Sequence, residues 1–224
     1  MSAVLITGCS GAGKTTIAAA LARRGVLAID SDNDPLLART VDAAGNVVEE
    51  PDEPGFAWLS QHSWAWNPAR LDAVIRAAMP ATLYVCGGAA NELELADRFS
   101  HMFLLEIDEP TMLARLDARL NNDWGRIGDT REYLRRFLPE YQARLHAFGV
   151  IPIDARRPLD HVLDAILAHM PPGSAPRPSA RLFEAHDELG RERAGQHVAV
   201  GTQRLATRLP RPPRPCPPAG RHRT

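Results

Sequence analysis

Short apolar runs recur along the chain at 4–6, 26–29, 83–85, 102–107 and 150–153, each bounded by turn or charged residues. Runs this short predict buried strands. Between them, apolar residues fall at helical spacing. Ile17, Ala20 and Leu21 predict a helix over 16–24 that stops at Gly25. The run at 26–29 follows so soon that it is expected to be a parallel strand returning beside the first. Asn67-Pro68 reads as an N-cap followed by proline at the first helical position, and Leu71, Val74, Ile75 and Ala78 share the face of the helix it opens, which Pro80 ends. Asp108 is expected to cap a helix over about 110–120. Asp129 with Glu132 reads as a capping-box start for a long helix to Phe148, closed by Gly149. Residues 159–170 form the last amphipathic stretch. Strands alternating with helices predict an α/β fold with a parallel sheet covered on both faces. The acidic, Pro/Gly-punctuated stretch 40–55 reads as a surface insertion with a small hairpin around Gly45-Asn46.

Composition adds bounds. The chain has 224 residues, 45% hydrophobic and 24% charged, with a formal net charge of −1, enough to bury a sizeable core. No apolar run approaches the ~20 residues of a membrane helix, and with the strand-like run at 4–6 following Met1 almost at once and no basic or apolar leader pattern, no secretory signal is expected. Cys9, Cys86 and Cys216 share no metal-ligand spacing. A cytoplasmic protein is expected. The charge is unevenly spread: residues 171–224 hold ten Arg against four acidic residues and ten of the 19 prolines. A body over 1–170 and a disordered Pro/Arg-rich tail over 171–224 are expected; with Phe183 as its one aromatic residue, nucleic-acid binding by the tail is not expected.

The densest chemistry lies at Gly8-Cys9-Ser10-Gly11-Ala12-Gly13-Lys14-Thr15, between the first strand and the first helix. Its Gly-x4-Gly-Lys-Thr spacing lets successive backbone N–H groups wrap a phosphate at a helix N-terminus. Lys14, the only lysine in the chain, would reach the β- and γ-phosphates and Thr15 would place its hydroxyl on Mg²⁺. Cys9 reads as a small tolerated residue rather than a reactive one.

Asp30-Ser31-Asp32 follows the second strand, where open parallel sheets gather ligands. In an extended segment both carboxylates would point the same way, Asp30 toward Mg²⁺ through a water and Asp32 toward an acceptor proton; the alternative is that they cap the next segment. The third strand ends at Cys86-Gly87-Gly88-Ala89-Ala90-Asn91 without an acidic residue, so the usual Mg²⁺-binding Asp is missing there. Its glycines admit either a ligand or a turn of positive φ. Asp108 reads as an N-cap. Arg115, Arg119, Arg126 and Arg131 crowd a helix–loop–helix that would act as a lid over about 115–131, with Arg119 and Arg126 expected to reach the transferred phosphoryl group; Arg135 and Arg136 read as a solvated face. Trp58, Trp64 and Trp66 suggest a pocket for a flat acceptor, or the packing of an irregular loop. Residues 154–158, including Arg157, lie where backbone groups could hold a purine edge.

The sequence of phosphate loop, Asp-x-Asp, Gly-Gly, arginine lid and Asp154-Ala155-Arg156-Arg157-Pro158 resembles the small P-loop kinases that include adenylate, shikimate and gluconate kinases. Trp64-Ala65-Trp66, the 87–91 turn and Arg119-Leu120-Asn121-Asn122-x-x-Gly125 are similar to a bacterial group of AAA-family, nucleoside-kinase-like ATP-binding proteins. Over about 3–170 the resemblance implies a P-loop NTPase three-layer sandwich with a five-stranded parallel sheet in the order 2-3-1-4-5. It implies ATP and Mg²⁺ as cofactors, with nucleotide contacts from Gly8, Ser10, Gly11, Ala12, Gly13, Lys14, Thr15, Thr16, Arg115 and Arg157. It places the acceptor among Asp30, Asp32, Trp64, Trp66, Gly87, Gly88 and Asn91. Two departures matter. Ala89 stands where shikimate kinases carry a third glycine. Between the second and third strands only Arg39 and Arg70 could hold an acceptor phosphate. The expected activity is phosphoryl transfer from ATP to a nucleoside, a nucleoside monophosphate or a shikimate- or gluconate-like hydroxyl compound. An ATP-hydrolysing regulatory switch without a small-molecule acceptor is the alternative.

Overall fold

The computed structural model describes residues 3–120 and 123–170; Asn121, Asn122 and the tail expected over 171–224 lie outside the described residues. In chain order the elements are β1 (Ala3–Thr7), α1 (Lys14–Arg23), β2 (Ala28–Asp30), β3 (Ala38–Val41), α2 (Phe56–Leu59), β4 (Ser63–Trp66), α3 (Pro68–Ala78), β5 (Leu83–Cys86), β6 (His101–Glu106), α4 (Glu109–Asp117), α5 (Gly128–Phe148), β7 (Ile151–Asp154) and α6 (Leu159–Leu167). Short 3-10 turns cover Ser31–Asn33 and Ala96–Arg98.

Five strands make one parallel sheet in the order β2-β5-β1-β6-β7, and β3 pairs antiparallel with β4 in a separate ribbon. The expected count lacked this ribbon, which inserts two strands between the second and third of the sheet; with it set aside, the sheet strands run 2-3-1-4-5. β2 does not lie beside β1. Both edges of β1 are taken, by β5 and β6, and β2 pairs with β5, Asp30 opposite Cys86.

The period of two along a strand divides the core. Val4 and Ile6 join Ile17 and Leu21 of α1, Met112 and Leu116 of α4, Leu145 of α5 and the apolar stripe of α6. Ala3 and Leu5 join Leu71, Ile75 and Ala78 of α3. Each fully buried Leu or Ile contributes about 1.5–3 kcal/mol, so the sheet that carries the loops at its carboxyl edge is a firm base.

Helix starts follow the sequence in two cases and depart in a third. Asn67 Oδ1 accepts from the N–H groups of Ala69 and Arg70, and Asp108 Oδ1 from that of Thr111. The capping box of α5 does not form: its N-cap is Ile127, with no side-chain bond. Asp129 Oδ2 instead accepts from the Phe56 N–H at 2.9 Å, and Glu132 pairs with Arg135 and Arg136. The small hairpin is present, with Val41 bridged to Val47 around Gly45. Among the described residues no helix is long and apolar enough to cross a membrane.

Candidate functional site

Parallel pairing brings Thr7, Asp30, Cys86, Glu106 and Asp154 to one edge of the sheet. There the chain leaves β1 through the loop 8–13 and enters α1 at Lys14. Gly13, the N-cap of α1, has φ +100°, a left-handed conformation that favours glycine. Lys14 Nζ folds over the loop and donates to the carbonyl oxygens of Gly8 (2.8 Å) and Cys9 (3.3 Å).

Two of the expected lid arginines converge here. Arg115 Nη1 donates to the carbonyls of Gly11 and Ala12, both at 3.3 Å, while its Nη2 reaches the Ala155 carbonyl at 2.7 Å. It thereby ties the phosphate loop to the turn after β7. Arg119 Nη2 donates to Ser10 Oγ at 3.1 Å. Burial lowers the Arg119 guanidinium, and the charge of Asp32 opposes that shift. Arg126 is held instead by Asp123, and Arg131 by Asp117. Arg135 and Arg136 form the expected solvated face with Glu109 and Glu132. Arg157 is exposed beyond β7; Arg156 is held by Asp154 and Asp108.

Asp30 and Asp32 do not lie on an extended segment. Asp30 ends β2, and Ser31–Asn33 turns as a 3-10 helix whose Asp32 N–H donates to Asp30 Oδ1 at 3.1 Å. Asp30 thus caps this turn, the alternative the sequence left open. It is buried, and the Thr15 hydroxyl bonds to it; burial and the neighbouring Asp32 charge push its carboxyl up. The Asp30 carboxylate and the Thr15 hydroxyl beside a phosphate loop are oxygen donors of the kind that suits a divalent cation. Asp32 is exposed, and its Oδ1 accepts from Trp64 Nε1 at 3.2 Å and Ser31 Oγ at 3.3 Å.

The three tryptophans do not form a common pocket. Trp64 faces Asp32. Trp66 is buried against Phe99 in the core under α3, and Trp58 stacks on His62, ring centroids 4.2 Å apart. Asn91 spends both ends of its amide on the backbone of Trp66, accepting at 3.0 Å and donating at 2.9 Å, which fixes the end of β4 beside the site. Neither Gly87 nor Gly88 has positive φ. The close approach at Gly87 is made by Ser31: a Cβ there would stand 1.6 Å from Ser31 Oγ. A Cβ on Gly88 would meet Thr7 Oγ1 and Tyr141 OH, each at 3.2 Å.

An acidic residue does follow β5, six positions past Cys86, and the sequence reading missed it. Glu92 is fully buried, and its Oε2 accepts from Thr7 Oγ1 (2.6 Å), Tyr141 OH (3.3 Å) and the Ala89 N–H (3.4 Å). Its Oε1 lies 3.6 Å from Arg144 Nη2. Burial pushes the Glu92 carboxyl up against these donors, and pushes the Tyr141 hydroxyl up as well. The network pins Thr7, the residue before the phosphate loop, to α5. Ahead of α5, Trp124 Nε1 donates to Glu50 Oε1 of the insertion at 3.0 Å.

A family model described as AAA domain matches residues 4–135. No curated protein matches the chain. Among solved structures, the chain is similar to a deoxyadenosine kinase from M. mycoides with bound dATP, at 14% identity over 74% of this chain and 97% of that one, TM-score 0.45. It is similar to a gluconokinase from Sinorhizobium meliloti 1021, at 17% identity over 75% and 90%, TM-score 0.46. A shikimate kinase from Bacteroides thetaiotaomicron is similar at 17% identity over 75% and 97%, TM-score 0.48.

Proposed function

With the chain a member of the AAA domain family, we propose that it is an ATP-dependent kinase that transfers the γ-phosphoryl group to a small-molecule acceptor. The observation that carries this reading is the placing of Asp32, held by Trp64, beside a phosphate loop that Arg119 touches from the lid side. A nucleotide-binding loop alone would serve a hydrolytic switch equally well. An exposed, oriented carboxylate next to an aromatic side chain adds what an acceptor needs.

In this reading residues 8–15 cradle the phosphates through backbone N–H groups and Lys14 moves from the loop carbonyls onto the β- and γ-phosphates. Thr15 and Asp30 would hold Mg²⁺, Asp30 through water; the bound ion supplies charge neutralisation on the phosphates. An acceptor hydroxyl oxygen forms a bond to the γ-phosphorus while the bond to the β–γ bridging oxygen breaks, and ADP leaves with that electron pair. Asp32 receives the hydroxyl proton and later releases it to water. Arg119 stabilises the charge on the transferring group, and Arg126 joins it as the lid loop closes and gives up Asp123. Residues 154–157, Arg157 among them, line the nucleotide base.

The test is coupled ADP release from Mg·ATP with nucleosides, nucleoside monophosphates, shikimate, gluconate and sugar alcohols as acceptors. Acceptor-dependent release supports the reading. A slow rate that no acceptor raises favours the regulatory switch.

A further inference from the structure

Resting on the kinase reading above, we propose that the acceptor is an alcohol that bears no phosphate or carboxylate group. Between β2 and β5, the two arginines nearest in sequence to the Asp32 turn, Arg39 and Arg70, are already engaged. Arg70, in the first turn of α3, donates through Nε at 2.9 Å and Nη2 at 2.8 Å to Asp34 Oδ2. The other oxygen of Asp34 accepts the N–H groups of Leu36 (2.9 Å) and Leu37 (3.2 Å), so this carboxylate is fixed from both sides and holds the guanidinium with it. Arg39 is exposed on β3 and its Nε donates to the Pro35 carbonyl. Among the lid arginines, Arg115 and Arg119 lie on the phosphate loop, and Arg126 and Arg131 are paired with Asp123 and Asp117.

The stretch of chain that carries Asp32 is acidic as well. Residues 27–66 contain Asp30, Asp32, Asp34, Asp42, Glu49, Glu50, Asp52 and Glu53 against Arg39 alone. An acceptor phosphate would enter next to the exposed carboxylate of Asp32, a repulsion that costs more as water is excluded. A neutral hydroxyl compound meets a different surface. Its hydroxyl can donate to Asp32 while its body rests on the exposed Trp64 ring. In the transfer its oxygen gains the phosphoryl group, its proton passes to Asp32, and ADP is the leaving group.

The experiment compares matched pairs in coupled ADP release: adenosine with adenosine 5′-monophosphate, sorbitol with gluconate, and methyl shikimate with shikimate. The wild-type protein should show kcat/KM at least about tenfold higher for the uncharged member of any pair it uses. Asp34→Asn keeps acceptors for the Leu36 and Leu37 N–H groups but releases Arg70, and should raise turnover of the anionic member at least about tenfold. Preference of the wild type for an anionic member, with that activity lowered in Asp34→Asn, overturns the inference and leaves the kinase reading standing. Stimulation by none of the six compounds overturns the kinase reading itself, and this inference with it.

Discussion

Trp64 donates its indole N–H to Asp32 Oδ1 at 3.2 Å, linking the ribbon strand β4 to the turn that follows β2. The bond orients the carboxylate proposed to receive the acceptor proton and sets an aromatic surface beside it. Trp64→Phe keeps a ring and removes the donor. It should lower kcat/KM for the acceptor about tenfold while the Kd for ATP, measured by calorimetry, changes less than about twofold. Equal losses in both would show that Trp64 shapes the nucleotide site instead.

Glu92 makes stability depend on pH in a stated direction. Its carboxyl is pushed above the ordinary value of 4.5 by burial, so the folded state binds the proton more tightly than the unfolded chain. Its stabilising contribution is complete below 4.5 and is lost as pH rises through the folded value. Glu92→Gln removes that loss. The melting temperature of Glu92→Gln relative to wild type should therefore rise between pH 4 and pH 8, and a difference independent of pH would contradict the burial account. Glu92→Ala leaves the Thr7–Tyr141 hydroxyl pair, 2.7 Å apart, and the Ala89 N–H without the carboxylate that accepts from them and opens a cavity, which should cost about 2–4 kcal/mol in urea denaturation.

Gly87→Ala places a methyl group where Ser31 Oγ and Cβ already stand, at 1.6 and 2.8 Å. Because Ser31 is fully buried, the strain cannot escape to solvent. A loss of about 1–3 kcal/mol is expected, and the double variant Gly87→Ala/Ser31→Gly should recover part of it. No recovery would mean that the clash is with Trp66 rather than Ser31.

Cys9 sits in the phosphate loop yet is buried, and burial pushes its thiol up to about 11. Cys86 is buried as well and shifted in the same direction. Iodoacetamide at pH 8 should modify neither in the folded protein on the timescale that it modifies both in urea, as read by peptide mass spectrometry. Rapid alkylation of Cys9 would show that the loop opens.

What the sequence made legible was whatever depends on near neighbours. The phosphate loop, the caps at Asn67 and Asp108, and the alternation of strands and helices each rest on residues a few positions apart. The losses have a common cause. Asp129 looks like a capping-box residue, but its carboxylate is taken by the Phe56 N–H from 73 positions away. Glu92 is silent in the sequence because its partners Thr7 and Tyr141 lie 85 and 49 positions off. Trp64 and Trp66 read alike, yet one is exposed and one buried: Trp66 joins the cluster that holds Phe99, while Trp64 bonds to Asp32, and neither partner is near in sequence. Arg39 and Arg70 read as free cations until Pro35 and Asp34 are seen to hold them.

The central claim is transfer of a phosphoryl group to an organic acceptor, and following the label from γ-labelled ATP tests it most directly. Wild-type protein and Lys14→Ala would each be incubated with Mg·ATP and the acceptor panel, and the label located by chromatography. The account predicts label in an organic phosphate ester, formed about 10²–10³-fold more slowly by Lys14→Ala with its melting temperature within a few degrees of wild type. Label found only as inorganic phosphate, at a rate no acceptor changes, would contradict it.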